Sequence, residues 1–187
     1  MVTELLSKEV APEWFRPWLV VEQEATHIRS FEPLLVPGLL QTEGYARVLS
    51  RSEEALSVRL ERQRVLTSGN LTLVAILSEI VLTRRVGSAK VMYDQLMHLA
   101  NPPAGVSVQI LPVDTDTHPW VDGSFELATI DGREVVYVDT PTRGFVLNDA
   151  QVLSDMRSRW DALRGEALPQ RQSQQLIMEV AEQRWKS

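Results

Sequence analysis

Leu71-Thr72-Leu73-Val74-Ala75-Ile76-Leu77-Ser78 is the stretch on which the fold reading turns. It has strand length, almost no polar face, and a break at Ser68-Gly69-Asn70 in front of it. Such a run fits a strand buried on both faces, as in a sheet with parallel pairing. Downstream, Val91, Met92, Gln95, Leu96 and Leu99 give Ala89 to Ala100 the period of an amphipathic helix, closed by Asn101-Pro102-Pro103. Val106, Val108 and Ile110 then form a second strand, stopped at Pro112. A strand, a helix and a strand in this order imply a parallel pair with a right-handed crossover.

Further on, Ser124–Ile130 and Glu134–Asp139 flank Asp131-Gly132-Arg133, and the Asp-Gly pair marks an antiparallel hairpin. Asn148 is placed to cap a helix to about Leu163, carrying Val152, Met156, Trp160 and Leu163 on one side. A last helix runs from about Pro169 to Trp185, with proline in its first turn. Upstream, Trp14, Trp18, Val21, Ala25 and Ile28 follow helical steps and predict one helix over the whole interval, with Glu22, Gln23, Glu24 and Arg29 in solvent. Glu32 to Leu40 holds two prolines, a glycine and many aliphatics, so it reads as an irregular segment pressed into the core. Thr42 caps a short helix through Tyr45 and Leu49, and another helix covers about Glu53 to Leu66. The expected architecture is a single α/β (α+β) domain over 1–187. A helical layer occupies 1–67, a mixed sheet of order β-α-β-β-β-α with its crossover helix occupies 71–140, and C-terminal helices occupy 145–185.

The composition excludes several function classes. Nineteen basic against twenty-five acidic residues give a net charge of −6, and no segment clusters Lys and Arg as a phosphate-reading surface does. Direct nucleic-acid contact by this chain is not expected. Cysteine is absent, and His27, His98 and His118 fall on three separate elements, so neither a metal nor another cofactor is expected. Met1–Val10 carries Glu4, Lys8 and Glu9 without an apolar core, and no apolar run reaches membrane-span length. A cytoplasmic protein without a membrane contact is the expectation.

Two stretches carry candidate chemistry. Asp114-Thr-Asp-Thr-His118-Pro-Trp120-Val-Asp122-Gly-Ser-Phe125 follows a strand end, where open α/β sheets collect ligands. It reads either as a ligand loop or as a polar connection whose Trp120 plugs the core. Glu79, directly after the first buried strand, is placed as a general base or ligand acceptor with Arg84 or Arg85 beside it, or as a structural cap or ion pair. Gln41, Tyr45, Arg62 and Gln63 are the polar members of the helical layer able to face the sheet, and Gln63 is expected to bond the proline-broken segment. Trp14, Trp18 and Trp185 read as packing or dimer contacts.

Trp14-Phe15 with Glu22 and Ala25, Val36-Pro37-Gly38-Leu39-Leu40-Gln41-Thr42 with Tyr45-Ala46, and Arg59-x-x-Arg62-Gln63-x-x-Leu66 form one ordered set. Glu79-x-x-Leu82-x-Arg84-x-Val86-Gly87, Gln95-Leu96, Val108-x-Ile110-Leu111-Pro112, His118, Gly123-Ser124-Phe125 and Val136-Tyr137-Val138 continue it. Together they resemble the uncharacterised C-terminal domain of actinobacterial Xre-type helix-turn-helix regulators, antitoxin-like proteins commonly encoded beside a short partner. The resemblance runs from Trp14 to about Arg184. It implies ligand sensing, dimerisation or binding of a small partner protein, and carries no established reaction. In that family a DNA-reading part precedes the Trp-Phe opening, whereas here Met1 stands thirteen residues before Trp14, so the expectation is the effector part alone. The element order is also similar to the phospholipase-D-like fold, but His118 is followed by Pro119-Trp120 where that chemistry needs His-x-Lys.

The leading expectation is therefore a small-molecule-binding effector or sensor domain. Its site would be made by Gln41, Tyr45, Glu79, Arg84, His118, Trp120 and Phe125. The alternative is a stand-alone biosynthetic enzyme of cyclase or isomerase type, with Glu79 or His118 moving the proton. A third reading is a module for a homodimer or a protein partner.

Overall fold

Helix α1 (Arg16–Glu24) ends well short of the apolar stripe that suggests it. A computed structural model describes residues 12–67, 69–115, 123–140 and 142–186 of the chain. After α1 the backbone turns extended at Ala25, and the Thr26 N–H donates to the Thr129 carbonyl. His27–Glu32 is then a strand, β1, where the sequence predicts the end of a helix. Ile28 is buried as that stripe requires, but from a strand. The helical reading fails because Trp18, Val21, Ala25 and Ile28 keep the helical interval while changing element at Ala25.

The chain continues through a 3-10 turn (Gly38–Leu40), α2 (Glu43–Leu49), α3 (Glu53–Arg62) and a second 3-10 turn (Gln63–Thr67) into β2 (Thr72–Ser78). Thr42 caps α2 by accepting from the Tyr45 N–H, as expected. Then come α4 (Ile80–Thr83), α5 (Ala89–Ala100), β3 (Val106–Leu111), β4 (Phe125–Ile130), β5 (Arg133–Asp139) and β6 (Gly144–Leu147). Asp131 and Gly132 both take positive φ, the requirement of a two-residue turn that matches the strand twist. Helix α6 (Ala150–Glu166) is capped by Asp149 rather than Asn148, and α7 (Gln170–Val180) leads into a wider turn over Ala181–Trp185.

The sheet order is β3-β2-β1-β4-β5-β6. β1 pairs parallel with β2 and antiparallel with β4, and β2 pairs parallel with β3. The expected α/β class holds, and the expected strands are present, but β1 stands between the parallel pair and the hairpin and makes them one sheet. One face packs on α1, α2, α5 and α7 through Trp18, Tyr45, Met92, Leu96 and Ile177. The other packs on α6 through Phe31, Ile76, Phe125, Leu127, Trp160 and Leu163. The edge at β3 is closed: Leu168 N–H donates to the Ile110 carbonyl, and Ser173 Oγ accepts the Ile110 N–H. This relieves the unpaired edge that invites strand addition. No helix among the described residues is long and apolar enough to cross a membrane.

Gln95, 0% exposed, ties α5 to the segment ahead of α2. Its Oε1 accepts the Thr42 N–H at 2.7 Å and its Nε2 donates to the Leu40 carbonyl at 2.8 Å. Gln95→Leu keeps the volume and strands both backbone groups, so it should destabilise the fold by about 1–3 kcal/mol in denaturant titration. A loss below about 0.5 kcal/mol would show that these backbone groups find other partners.

Candidate functional site

Alternation along β1 and β4 decides what lies under the helical layer. Phe31 and Phe125 are paired across the two strands and packed toward α6. Successive side chains point to opposite faces, so Ser30, Glu32 and Glu126 face α1–α3. Ser30 is register partner of Glu126, and Glu126 of Tyr137, which makes one row across three strands. Glu32 and Asp139 stand one pleat further toward the carboxyl ends of β1 and β5. Glu32, Glu126, Tyr137 and Asp139 floor a cavity of about 600 Å³. The cavity lies at the carboxyl end of β1, where the chain has wound outward to β3 on one side and returns to β4 on the other. Reversals of this kind are where open α/β sheets take ligands.

The roof is the irregular segment that follows β1, held by side-chain amides. Gln41 Nε2 donates to the Val36 carbonyl at 2.7 Å, and Arg59 donates to Gln41 Oε1 at 2.8 Å. Gln63, as its helical register led us to expect, donates to the Gly38 and Gln41 carbonyls at 3.0 and 2.7 Å. Arg59 and Arg62 reach in from α3, while Phe15 and Trp18 close the α1 side. Tyr137 stacks on Trp18 at 5.0 Å between centroids and meets Phe15 edge-on at 5.8 Å. Gly144 lies so close under Tyr137 that an added Cβ would fall 2.3 Å from its hydroxyl oxygen, which fixes the ring's place in the wall.

The charges do not cancel locally. Glu22 takes both hydrogen bonds of Arg62, at 2.8 and 2.5 Å, in a buried bidentate pair. Glu22 is only 2% exposed, which corrects the expectation that it is solvated: α1 turns this side of its helix onto α3. Burial raises Glu32 well above the ordinary carboxylate range, and the charges of Glu126 and Asp139 raise it further. Burial also raises Glu126, to about 7, with Glu22 adding to the shift and Arg62 opposing it. Both carboxyls keep surface open to the cavity although walled in by protein. Arg59 is pushed down by burial and by Arg62, and meets no carboxylate at ion-pair distance among the described residues. Ser30 Oγ is fully buried close to the Glu126 carboxyl, where it and Trp18 hold that carboxyl down against the burial shift. Desolvated carboxyls and a guanidinium gathered beside an open cavity make it the functional-site candidate of this domain. No group of His, Cys, Asp and Glu among the described residues is arranged to hold a metal ion.

Of the residues singled out in the sequence, the structure brings Gln41 and Arg62 to this cavity, while Phe125 borders it with its ring packed on the opposite sheet face. Tyr45 is buried behind it, its hydroxyl accepting the Val36 N–H at 3.3 Å, so it braces the roof. Glu79 is outside the cavity: its Oε2 accepts the Val113 N–H at 3.2 Å and fastens the end of β3, the structural alternative for this residue. Arg84 is exposed beyond α4. His118 and Trp120 lie outside the described residues. Trp18 and Trp185 are both buried in this chain, Trp185 donating to the Leu82 carbonyl at 2.9 Å.

The residues missed are Glu32, Glu126, Arg59 and Tyr137. Their signal was present in part, since Glu126 alternates with the apolar Phe125 and Leu127. Glu32 was hidden by the failure to see β1. A model of one protein family matches residues 15–179, a span that contains every residue lining the cavity. The chain belongs to the family described as Domain of unknown function (DUF5753). No curated protein and no solved structure matches it.

The shift at Glu126 gives the DUF5753 domain a pH signature. A carboxyl raised from 4.5 to about 7 on folding stabilises the protein fully below 4.5, and that contribution is lost as the pH rises toward 7. Its size is up to about 3 kcal/mol, from (7 − 4.5) × ~1.36 kcal/mol. Glu126→Gln should therefore be more stable than the parent at pH 8, and the advantage should shrink toward pH 5. Parallel stability curves for the two proteins over pH 5–8 would refute the shift.

Proposed function

We propose that this DUF5753 chain is a small-molecule-binding effector or sensor domain, with its ligand seated on the Glu32–Glu126 floor beneath Arg59. The observation that carries the reading is the cavity itself. It has about 600 Å³ of room, within the range of about 300–1,000 Å³ usual for small-molecule sites. Aromatic rings on one side offer stacking area, and floor and roof offer charged groups, Glu32, Asp139 and Arg59, that form no ion pair among the described residues. A ligand that supplied those partners would stabilise the folded domain by mass action. The resemblance to effector parts of Xre-type regulators adds the expectation that binding is read out by an attached or partner protein, since an acidic chain without a basic cluster does not read DNA by itself.

A second reading is favoured by one observation: a carboxyl near pH 7 that opens on the cavity is tuned for proton transfer. In that reading the domain is an acid–base enzyme of cyclase or isomerase type. Glu126, assisted by Glu32, takes the place of Glu79 as the proton-moving group.

Native mass spectrometry of the chain, purified from its own host, tests the first reading. The expected spectrum carries a small-molecule adduct, released on denaturation and absent from Arg59→Ala and Glu32→Gln. A bare mass for the parent would contradict a resident ligand. An adduct chemically altered on incubation with the parent, and unaltered with Glu126→Gln, would move the reading to the enzyme.

A further inference from the structure

The opposed charges of floor and roof narrow the ligand's chemistry. Glu32, Glu126 and Asp139 belong to three neighbouring strands and line the cavity from the same sheet face. Arg62, which lines the cavity together with Arg51 and Arg59, is spent on Glu22. Across the cavity, Arg59 has its position set by the Gln41 side chain and retains donors with no carboxylate to receive them. The two halves cannot neutralise each other without collapsing the space between them, and the amide-braced roof prevents that collapse.

We propose that the cavity takes a dipolar ligand, a protonated amine resting on Glu32 and Glu126 and a carboxylate or carbonyl oxygen turned to Arg59. This rests on the small-molecule reading and states which class of molecule satisfies it. The ammonium supplies the countercharge that the floor lacks, and its remaining N–H donors suit the Asp139 carboxylate. The guanidinium of Arg59 is a planar donor fork matched to a carboxylate. Phe15 and Tyr137 lie along the path between the two ends, so a flat spacer joining them meets aromatic surface. The buried pKa shifts agree with this assignment: an ammonium would pull Glu32 and Glu126 back to their charged forms.

Three probes that share one ring separate the parts of the proposal: 4-(aminomethyl)benzoate, 4-methylbenzoate and 4-methylbenzylammonium. Their affinities at pH 8 are to be measured by chemical-shift titration of the parent, Glu32→Gln, Glu126→Gln and Arg59→Gln. Glu79→Gln, outside the cavity, serves as the control for unspecific loss. The expected result is that 4-(aminomethyl)benzoate binds at least about tenfold tighter than either one-armed probe. Each glutamine substitution in the floor should lower it about to the level of 4-methylbenzoate, and Arg59→Gln about to that of 4-methylbenzylammonium. Equal binding of 4-methylbenzoate, or indifference to both floor variants, would overturn the dipolar assignment while leaving a small-molecule site standing. Failure of all three probes to bind would also overturn it, and only a ligand-free native spectrum would then remove the broader reading.

Discussion

The pairing of Phe31 with Phe125 governs the arrangement of the rest of the domain. Both rings pack toward Trp160 and Leu163 of α6, and the two-residue period of a strand then leaves no choice for their neighbours. Ser30, Glu32 and Glu126 must enter the opposite face, under the helical layer. A one-residue slip of β1 would turn Glu32 toward α6, away from Glu126, and bury the wrong β1 residues on both faces. Hydrophobic burial against α6 therefore holds in place an acidic floor that no local preference would form. The energy for placing Glu32 and Glu126 comes from a core on the far side of the sheet.

The helical layer answers this floor with rigidity more than with countercharge. Gln41, Gln63 and Gln95 each satisfy backbone groups of the segment that two prolines keep out of regular structure. Such a fully bonded amide set fixes a loop in one shape. Glu22 and Arg62 neutralise each other, and breaking that pair from one side would leave a buried charge worth about 3–5 kcal/mol. What remains after these pairings is an open space with acid below and the Arg59 guanidinium above, with Arg51 also in its lining. Natural domains keep such local conflicts at sites where a bound molecule resolves them.

Much of this fold was legible because its apolar patterns were clean. The run from Leu71 to Ser78, the helix over Ala89–Ala100 and the Asp131-Gly132 hairpin each follow one period without interruption. β1 was not legible for the reason that makes it important. Ser30 and Glu32 occupy inward positions where an apolar residue would have shown the alternation, while Ala25 and Ile28 continued the helical interval of α1 by coincidence. The site was legible only at its rim, through Gln41 and Arg62. Arg62 and Gln63 stood out as polar residues facing the sheet, but which carboxylate Arg62 meets depends on long-range packing of α1 against α3. Glu79 misled because a carboxylate after a buried strand looks the same whether it faces a ligand or caps a neighbouring strand through Val113 N–H.

The central claim is that Glu32 and Glu126 lie desolvated in a cavity that stands open to a ligand. Carbon-detected NMR titration of the side-chain carboxyls in the ligand-free domain tests it most directly, with Glu32→Gln and Glu126→Gln assigning the two resonances. The account predicts one glutamate titrating near 7 and a second well above the ordinary carboxylate range. Both resonances moving together near 4.5 would mean that water solvates this floor as it does the surface, and the account of the site would fail.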